Sequence, residues 1–208
     1  MSEQQLLLEA HAVAKHFGGV KALHDVSLTI RRGEIYGLIG PNGAGKTTFF
    51  NCLTGLYRNE GGHFIFDGVR LQADAPHKAA AVGIARTFQN IRLFGNMTAL
   101  ENVMVGRHLR TRAGVVGAII RNPATRAEEA GIARRAEELL HYVGIHARAH
   151  DYAKHLSYGD QRRLEIARAL ATEPKLLALD EPAAGMNGTE TEALRVLVEG
   201  ICRDGVTV

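Results

Sequence analysis

Apolar positions recur along this chain with two periods, one near its start and another in its middle. Residues 6–13 and 20–30 alternate between apolar and polar side chains, which is typical of strands, and Phe17-Gly18-Gly19 between them predicts a turn. Later segments repeat apolar residues every three or four positions, which predicts helices. The predicted strands cover residues 6–13, 20–30, 35–39, 63–66, 84–88 and 176–179. The predicted helices begin at or just after Thr47, Thr98, Thr125, Ser157 and Thr189, each a loop or capping residue.

The order of these elements indicates an α/β fold. Strands that alternate with helices form a parallel central sheet, and the first strands with residues 63–66 form an N-terminal antiparallel β subdomain. Residues 89–156 are helical in pattern, so we expect them to be an inserted helical subdomain. Residues 1–88 and 157–208 then form the core. Its last residues, 205–208, predict the start of a further strand of the central sheet, so we expect this core to be truncated at its C-terminus.

Composition adds few constraints on function. A chain of 208 residues is long enough for one domain with an attached lobe. The net charge of +3 is too mild to select nucleic acid or an acidic membrane as a partner. Cys52 and Cys202 are far apart in sequence, so we expect no disulfide and a reducing compartment. No signal peptide or apolar run of the ~20 residues that span a bilayer is present, which favours a soluble protein.

A phosphate-binding loop follows the apolar segment 35–39, which we expect to be a buried strand. The loop matches G-x-x-x-x-G-K-[ST] at every fixed position, and its residues are Gly40, Pro41, Asn42, Gly43, Ala44, Gly45, Lys46, Thr47 and Thr48. Its glycines let backbone N–H groups surround a polyphosphate, and the predicted helix 47–56 adds partial positive charge at its start. We expect Lys46 to reach the β- and γ-phosphates and the Thr47 hydroxyl to bind Mg²⁺. The sequence therefore predicts a P-loop NTPase core that binds a nucleoside triphosphate.

Two carboxylates follow the last all-apolar strand. Asp180 and Glu181 lie at the carboxyl end of residues 176–179, the edge at which parallel sheets bind ligands. Asp180 is the predicted Mg²⁺ carboxylate, and Glu181 is the candidate that polarises an attacking water. The alternative is a solvated strand end, which the neighbouring phosphate loop disfavours.

The segment Leu156-Ser157-Tyr158-Gly159-Asp160-Gln161 has two interpretations. It is a helix N-cap in isolation, because Ser157 precedes an acidic residue by three positions. An exposed helix start with a serine and a glycine is also a binding site for an anion. The residues alone leave both interpretations open.

Four motifs occur in the order and spacing of ATP-binding-cassette ATPases, which this sequence resembles over essentially its whole length. They are the phosphate loop, Gln89 after a strand, LSYGDQ and LLALDEP. The strings LSYGDQRRLEIARAL, DEPAAGMN, FNCLTGLY and RTFQNIRLFGNMTALENV resemble one subgroup in particular. That subgroup is the ATP-binding subunit of branched-chain (hydrophobic) amino-acid importers.

The resemblance implies an ATPase that uses ATP and Mg²⁺ and works as a dimer. Two subunits close head to tail on two ATP molecules, so that Ser157 and Gly159 contact the γ-phosphate held by the partner. Gln89 is implied to bind Mg²⁺ and to sense the γ-phosphate. Phe17 occupies the place of the aromatic that stacks on adenine, a contact of ~1–3 kcal/mol, with packing against the sheet as its alternative. The remaining residues of the implied nucleotide-binding segment are Asp160 and Gln161.

The resemblance also implies partners. They are a second ATPase subunit, identical or different, and transmembrane permease subunits contacted through residues 90–102. A periplasmic or extracellular substrate-binding protein is an indirect partner, and no nucleic acid is expected. The implied location is peripheral, at the cytoplasmic face of the inner (plasma) membrane.

The sequence departs from the family's pattern at several positions. Tyr158 and Asp160 replace small or glycine residues of the commonest signature, and Asn187 replaces an aspartate. The family's switch histidine follows the next strand, and no histidine follows His155 here, so we expect weak hydrolysis by this chain.

Two other functions remain open at this point. One is a non-transport cassette ATPase acting on nucleic acid or ribosomes. Some of these ATPases carry a long coiled coil between the positions of Gln89 and Ser157. The insertion here is too short for one, which disfavours this function. The other is a non-hydrolysing ATP-binding interaction subunit, which the missing histidine favours. The basic stretch 107–121 is either a solvated loop or a contact with headgroups or a partner.

Overall fold

The computed structural model describes residues 5–72, 74–107 and 123–208, without the side chains of residues 123–126. These residues form two compact units. The first, the sheet unit, comprises the described residues of Met1–Arg86 with Lys175–Asp180 and Val198–Val208. The second, the helical unit, comprises those of Thr87–Pro174 with Glu181–Leu197. Beyond Arg107, the basic stretch of the sequence analysis lies outside the described residues.

Four strands form an antiparallel sheet in the sheet unit. In space they follow the order β2-β1-β3-β4. Their bounds are β1 Leu6–Phe17, β2 Val20–Arg31, β3 Gly61–Phe66 and β4 Val69–Arg70. One face is buried with side chains of helix α1, Lys46–Leu53, in a common core. The predicted N-terminal antiparallel subdomain is therefore confirmed, and both long strands reach the glycine turn.

A parallel sheet lies in the same unit. Strand β5, Ile84–Arg86, pairs in parallel with β6, Leu176–Ala178, and α2, Pro76–Val82, precedes β5. On the other side of β6, Leu177 N donates to Thr207 O at 2.8 Å and Thr207 N donates to Lys175 O at 3.0 Å. The prediction that residues 205–208 enter the central sheet is therefore confirmed.

The segment 35–39 differs from its prediction as a buried strand. Tyr36 N donates to Val208 O at 2.8 Å, and Val208 N donates to Glu34 O at 3.1 Å, so the backbone does follow the parallel sheet. However, Ile35 and Tyr36 are exposed, and Ile39 is 95% exposed. A strand is buried on both faces only where other elements cover both of them, and the exposed side chains of this segment show that its faces are not covered in this way.

Helices dominate the helical unit. They are α3 Ala99–Arg107, α4 Pro123–Tyr142, α5 Tyr158–Leu170 and the first part of α6 Gly188–Arg203. Short 3₁₀ turns at His146–Arg148 and Ala153–His155 connect α4 to α5. The apolar side chains that recur at helical spacing along α4 are buried, and so is the residue that follows the helix: Ile132, Ala136, Leu139, Leu140 and Val143. No helix in the described ranges is both long and apolar enough to cross a membrane.

Two helix starts test the capping predictions. At α3, Thr98 N donates to Glu101 Oε2 at 2.7 Å and Glu101 N donates to Thr98 Oγ1 at 3.2 Å, which confirms the predicted capping box. At α6 the prediction was wrong, because the box is formed by Asn187 and Glu190 rather than by Thr189 and Glu192. Asn187 N donates to Glu190 Oε2 at 3.0 Å, and Glu190 N donates to Asn187 Oδ1 at 2.9 Å.

Candidate functional site

The phosphate loop leads directly into α1. Gly45 has φ +90°, and a Cβ there would lie 2.4 Å from Ala22 O, so both the backbone conformation and the close contact require glycine. Lys46 Nζ donates to Gly40 O at 2.7 Å and to Pro41 O at 3.1 Å, so its ammonium group lies at the start of the loop. The loop that precedes α1 therefore holds the ammonium group through two of its own carbonyls.

Helix α1 is shorter than the predicted 47–56. It begins at Lys46 and ends at Leu53, because Gly55 takes a left-handed conformation with φ +72°. On this helix Phe49, Cys52 and Leu53 are buried, and Phe50 is partly buried against the same core. Burial raises the pKa of the Cys52 thiol.

Thr47 and Asp180 lie together in the sheet unit. Thr47 Oγ1 is 3.5 Å from Asp180 Oδ1, although 133 residues separate them in sequence. The other carboxylate oxygen, Oδ2, accepts a hydrogen bond of 2.8 Å from Arg86 Nη2. A hydroxyl and a carboxylate oxygen are the ligand types that Mg²⁺ prefers, so this pair fits the predicted metal role of both residues.

Arg86 is a residue of this site that the sequence analysis missed. Its guanidinium donates to Asp180 and, at 2.6 Å, to Asn51 Oδ1 on α1, and it lies 5.4 Å from the Phe50 ring centroid. The side chains of Arg86 and Asp180 are 4% and 2% exposed. The available signal was an arginine inside a short apolar strand, because a buried cation needs a partner.

Gln89 and Glu181 lie together in the helical unit. Gln89 Nε2 donates to Glu181 Oε2 at 2.9 Å, so the two residues proposed to act in hydrolysis touch each other. Glu181 has φ +48°, a left-handed conformation that costs a non-glycine residue roughly 1–2 kcal/mol. A strained backbone conformation persists only where surrounding contacts hold it, and such conformations are common at functional sites.

Ser157 caps α5, as the first of its two interpretations requires. Ser157 Oγ accepts a hydrogen bond of 3.2 Å from Asp160 N, and Gln161 Nε2 donates to Leu156 O at 3.1 Å. A Cβ on Gly159 would lie 3.0 Å from Glu190 Oε1. The second interpretation, an anion site for the partner's nucleotide, stays a prediction for Ser157, Gly159, Asp160 and Gln161.

Phe17 ends β1 and is 44% exposed. Tyr57 meets the ring edge-on with centroids 5.3 Å apart, and Lys15 Nζ lies 5.3 Å from the ring centroid. The ring therefore has two side-chain contacts while the residue remains partly exposed. Its stacking on adenine stays a prediction.

The family model for ABC transporters matches residues 23–184, which include the phosphate loop, Gln89, Ser157 and both carboxylates. The chain belongs to the ABC transporter family. It is thus an ATP-binding cassette whose four motifs the structure distributes over two compact units.

Relatives of this cassette narrow the comparison. The chain is 44% identical to the high-affinity branched-chain amino acid transport ATP-binding protein LivG of Salmonella typhimurium, over 93% of this chain and 76% of LivG. It is 43% identical to LivG of Escherichia coli K12 over the same shares. It is 44% identical to BraF of Pseudomonas aeruginosa, over 92% of this chain and 75% of BraF. The predicted resemblance to ATP-binding subunits of branched-chain amino-acid importers is therefore confirmed.

Solved structures agree with the cassette fold. A nucleotide-free ATP-binding cassette from an ABC transporter has a TM-score of 0.83 at 29% identity, covering 98% of this chain and 79% of the other. A dimeric post-hydrolysis cassette bound to ADP and Pi has a TM-score of 0.80 at 28% identity, covering 97% and 86%. The predicted fold class, an α/β P-loop NTPase, is confirmed.

Proposed function

We propose that this cassette hydrolyses ATP to power the import of branched-chain or other hydrophobic amino acids. The observation that carries the proposal is the approach of Thr47 to Asp180 beside the phosphate loop, in a chain 44% identical to LivG. LivG and BraF are named as transport ATP-binding proteins for this substrate class. The transported molecule itself does not contact the cassette in this proposal.

Nucleotide binding uses the phosphate loop. Lys46 exchanges its hydrogen bonds to the Gly40 and Pro41 carbonyls for bonds to the β- and γ-phosphates, which replaces neutral acceptors by charged ones. Thr47 and Asp180 hold Mg²⁺, which neutralises phosphate charge when bound. Arg86 keeps Asp180 in place by occupying its second oxygen. Phe17 stacks on adenine.

Hydrolysis uses Glu181 as the residue that polarises water. The hydrogen bond from Gln89 orients the Glu181 carboxylate. A correctly placed general base contributes about 10²–10⁴-fold to the rate. Gln89 also serves as a ligand of Mg²⁺ and reports the presence of the γ-phosphate, as the family resemblance implies.

The working assembly is a dimer of ATPase subunits bound to membrane partners. Ser157, Gly159 and their neighbours bind the nucleotide held by the second subunit, and residues 90–102 contact the permease. A substrate-binding protein delivers the amino acid on the far side of the membrane. The cassette is peripheral, at the cytoplasmic face. The dimeric cassette with ADP and Pi supports this arrangement by likeness.

The test uses the cassette assembled with its permease subunits in liposomes. We expect leucine uptake that depends on ATP, and Glu181→Gln should retain ATP binding while turnover falls by about 10²–10⁴-fold. Lys46→Ala should weaken ATP binding in isothermal titration, because the main positive charge on the phosphates is removed. ATP turnover without amino-acid uptake would contradict the transport role, and equal ATP affinity in Lys46→Ala would contradict the binding site.

A further inference from the structure

Phe88 and Gln89 follow β5, and two charged side chains of α5 bind their backbone. Glu165 Oε1 accepts a hydrogen bond of 3.2 Å from Phe88 N. Arg162 Nη1 donates to Phe88 O at 2.6 Å, and Arg162 Nη2 donates to Gln89 O. The two side chains also pair with each other at 3.1 Å and are 3% and 1% exposed. We call Arg162 and Glu165 the backbone clamp.

The clamp does something that apolar residues cannot do. A buried ion pair is often no more stabilising than two well-packed apolar side chains of similar volume. Buried backbone N–H and C=O groups, by contrast, need hydrogen-bond partners, and residues 88–89 have left the ladder that β5 forms with β6. The clamp supplies partners to three backbone groups of this segment, in which Phe88 is half-buried and Gln89 is exposed, and so defines where the segment lies.

Tyr158 completes the clamp. Arg162 Nη2 donates to Tyr158 Oη at 3.0 Å, and the guanidinium lies 5.4 Å from the ring centroid. The ring also lies close to Gly185, where an added Cβ would be 3.5 Å from Cε1. Tyr158 is one of the positions at which this chain departs from the commonest signature. Its hydroxyl and ring therefore orient Arg162, which a glycine could not do.

We propose that Arg162 and Glu165 are positioning residues for ATP hydrolysis, acting through Gln89, and that Tyr158 orients Arg162. The clamp fixes the Gln89 backbone, and the Gln89 side chain then donates to Glu181 Oε2 at 2.9 Å. This inference rests on the proposed role of Glu181 in hydrolysis. When the clamp is weakened, the carboxylate loses its orientation, and misplacement of a reacting group by about 1 Å costs about 10²-fold in rate.

The main experiment measures ATP turnover in the assembled transporter. Arg162→Lys keeps the charge but loses the fork that donates to two carbonyls at once. We expect kcat to fall about 10- to 100-fold, with the KM for ATP within about threefold, because no clamp residue belongs to the phosphate loop. Arg163→Lys, the next residue on the same helix, is the matched control and should leave both constants unchanged. Tyr158→Phe should lower kcat less than Arg162→Lys does.

A double-variant cycle separates positioning from a general structural effect. In a Gln89→Ala background, Arg162→Lys should change kcat by less than about threefold, because the side chain through which the clamp reaches Glu181 is absent. An undiminished effect in that background, or an unchanged kcat in Arg162→Lys alone, would overturn the proposal. A large rise in the KM for ATP without a fall in kcat would also overturn it.

Hydrogen exchange tests the clamp without requiring turnover. The Phe88 amide should exchange faster in Glu165→Leu than in wild type, because its acceptor is removed. Unchanged exchange at Phe88 in a folded Glu165→Leu protein would show that the clamp does not define this segment. Absent turnover in the wild-type transporter would refute the proposed function instead, and the exchange result would then decide on the clamp alone.

Discussion

Replacement of Arg86 by methionine should destabilise the cassette strongly. The change removes the guanidinium that binds Asp180 Oδ2 and Asn51 Oδ1, and it leaves a carboxylate that is 2% exposed without its cation. Removing one partner of a buried ion pair costs about 3–5 kcal/mol. That is a large part of the roughly 5–15 kcal/mol by which folded proteins are stable.

Thermal unfolding gives the size of the effect. For a chain of about this length, 1 kcal/mol shifts Tm by about 2–4 °C, so Arg86→Met should lower Tm by about 6–20 °C. The chain has no tryptophan, so circular dichroism or calorimetry is the appropriate readout. The matched control is Arg148→Met, which breaks the exposed pair with Asp151 and should cost only about 0–1 kcal/mol.

A second substitution tests the cause. In Asp180→Asn, no carboxylate remains to be left uncompensated, so adding Arg86→Met should cost clearly less there than in wild type. An equal fall of Tm in the two backgrounds would show that lost packing, rather than an unpaired charge, destabilises the variant. A Tm fall no larger than that of Arg148→Met would refute the reasoning altogether.

Three further predictions concern other parts of the chain. Ser157→Arg should keep the ATP affinity of the isolated subunit but abolish ATP-driven dimerisation, measured by size-exclusion chromatography. A loss of ATP affinity in the monomer would contradict the proposal that Ser157 binds the nucleotide of the second subunit. In a Cys202→Ser background, Cys52 should react with iodoacetamide only as fast as the core opens, because the thiol is buried and its pKa is raised; reaction at the rate of a free cysteine would count against this. A hydrogen bond from Lys175 lowers the pKa of Asp67, so its stabilising contribution is complete above the ordinary value near 4 and is lost as pH falls through the lower folded-state pKa. The Tm difference between wild type and Asp67→Asn should therefore narrow from pH 7 to pH 3, and a constant difference would exclude this linkage.

Local pattern was enough to predict most elements of the fold. The hairpin, the capping box at Thr98 and the apolar face of α4 depend on neighbours within a few residues, and all three agree with the structure. At α6, two overlapping pairs, Asn187 with Glu190 and Thr189 with Glu192, both fit the capping pattern. Asparagine is the better N-cap, and Glu192 forms its contact with Arg195 instead.

Burial and charge partners depended on distant segments and were harder to predict. The apolar composition of residues 35–39 indicated a strand but not how many of its faces would be covered. Arg86 finds its carboxylate 94 residues further along the chain, and Arg162 finds the Gln89 carbonyl 73 residues earlier. A lone charge in an apolar segment, such as Arg86, predicts that a partner exists, but the spacing in sequence does not identify that partner.

Arg86 and Arg162 act at the ends of neighbouring segments. Strand β5 is followed by Phe88 and Gln89, and the β6 segment is followed by Asp180 and Glu181. In the sheet unit, Arg86 binds Asp180; in the helical unit, Arg162 binds the backbone at Gln89, whose amide binds Glu181. Each carboxylate with a proposed role in the reaction is therefore contacted, directly or through one glutamine, by a buried arginine. Arginine suits this task because its planar fork donates several hydrogen bonds in fixed directions, whereas a lysine ammonium does not. If Asp180 and Glu181 have their proposed roles, loss of either arginine should disturb a different step: metal and phosphate binding for Arg86, and water activation for Arg162.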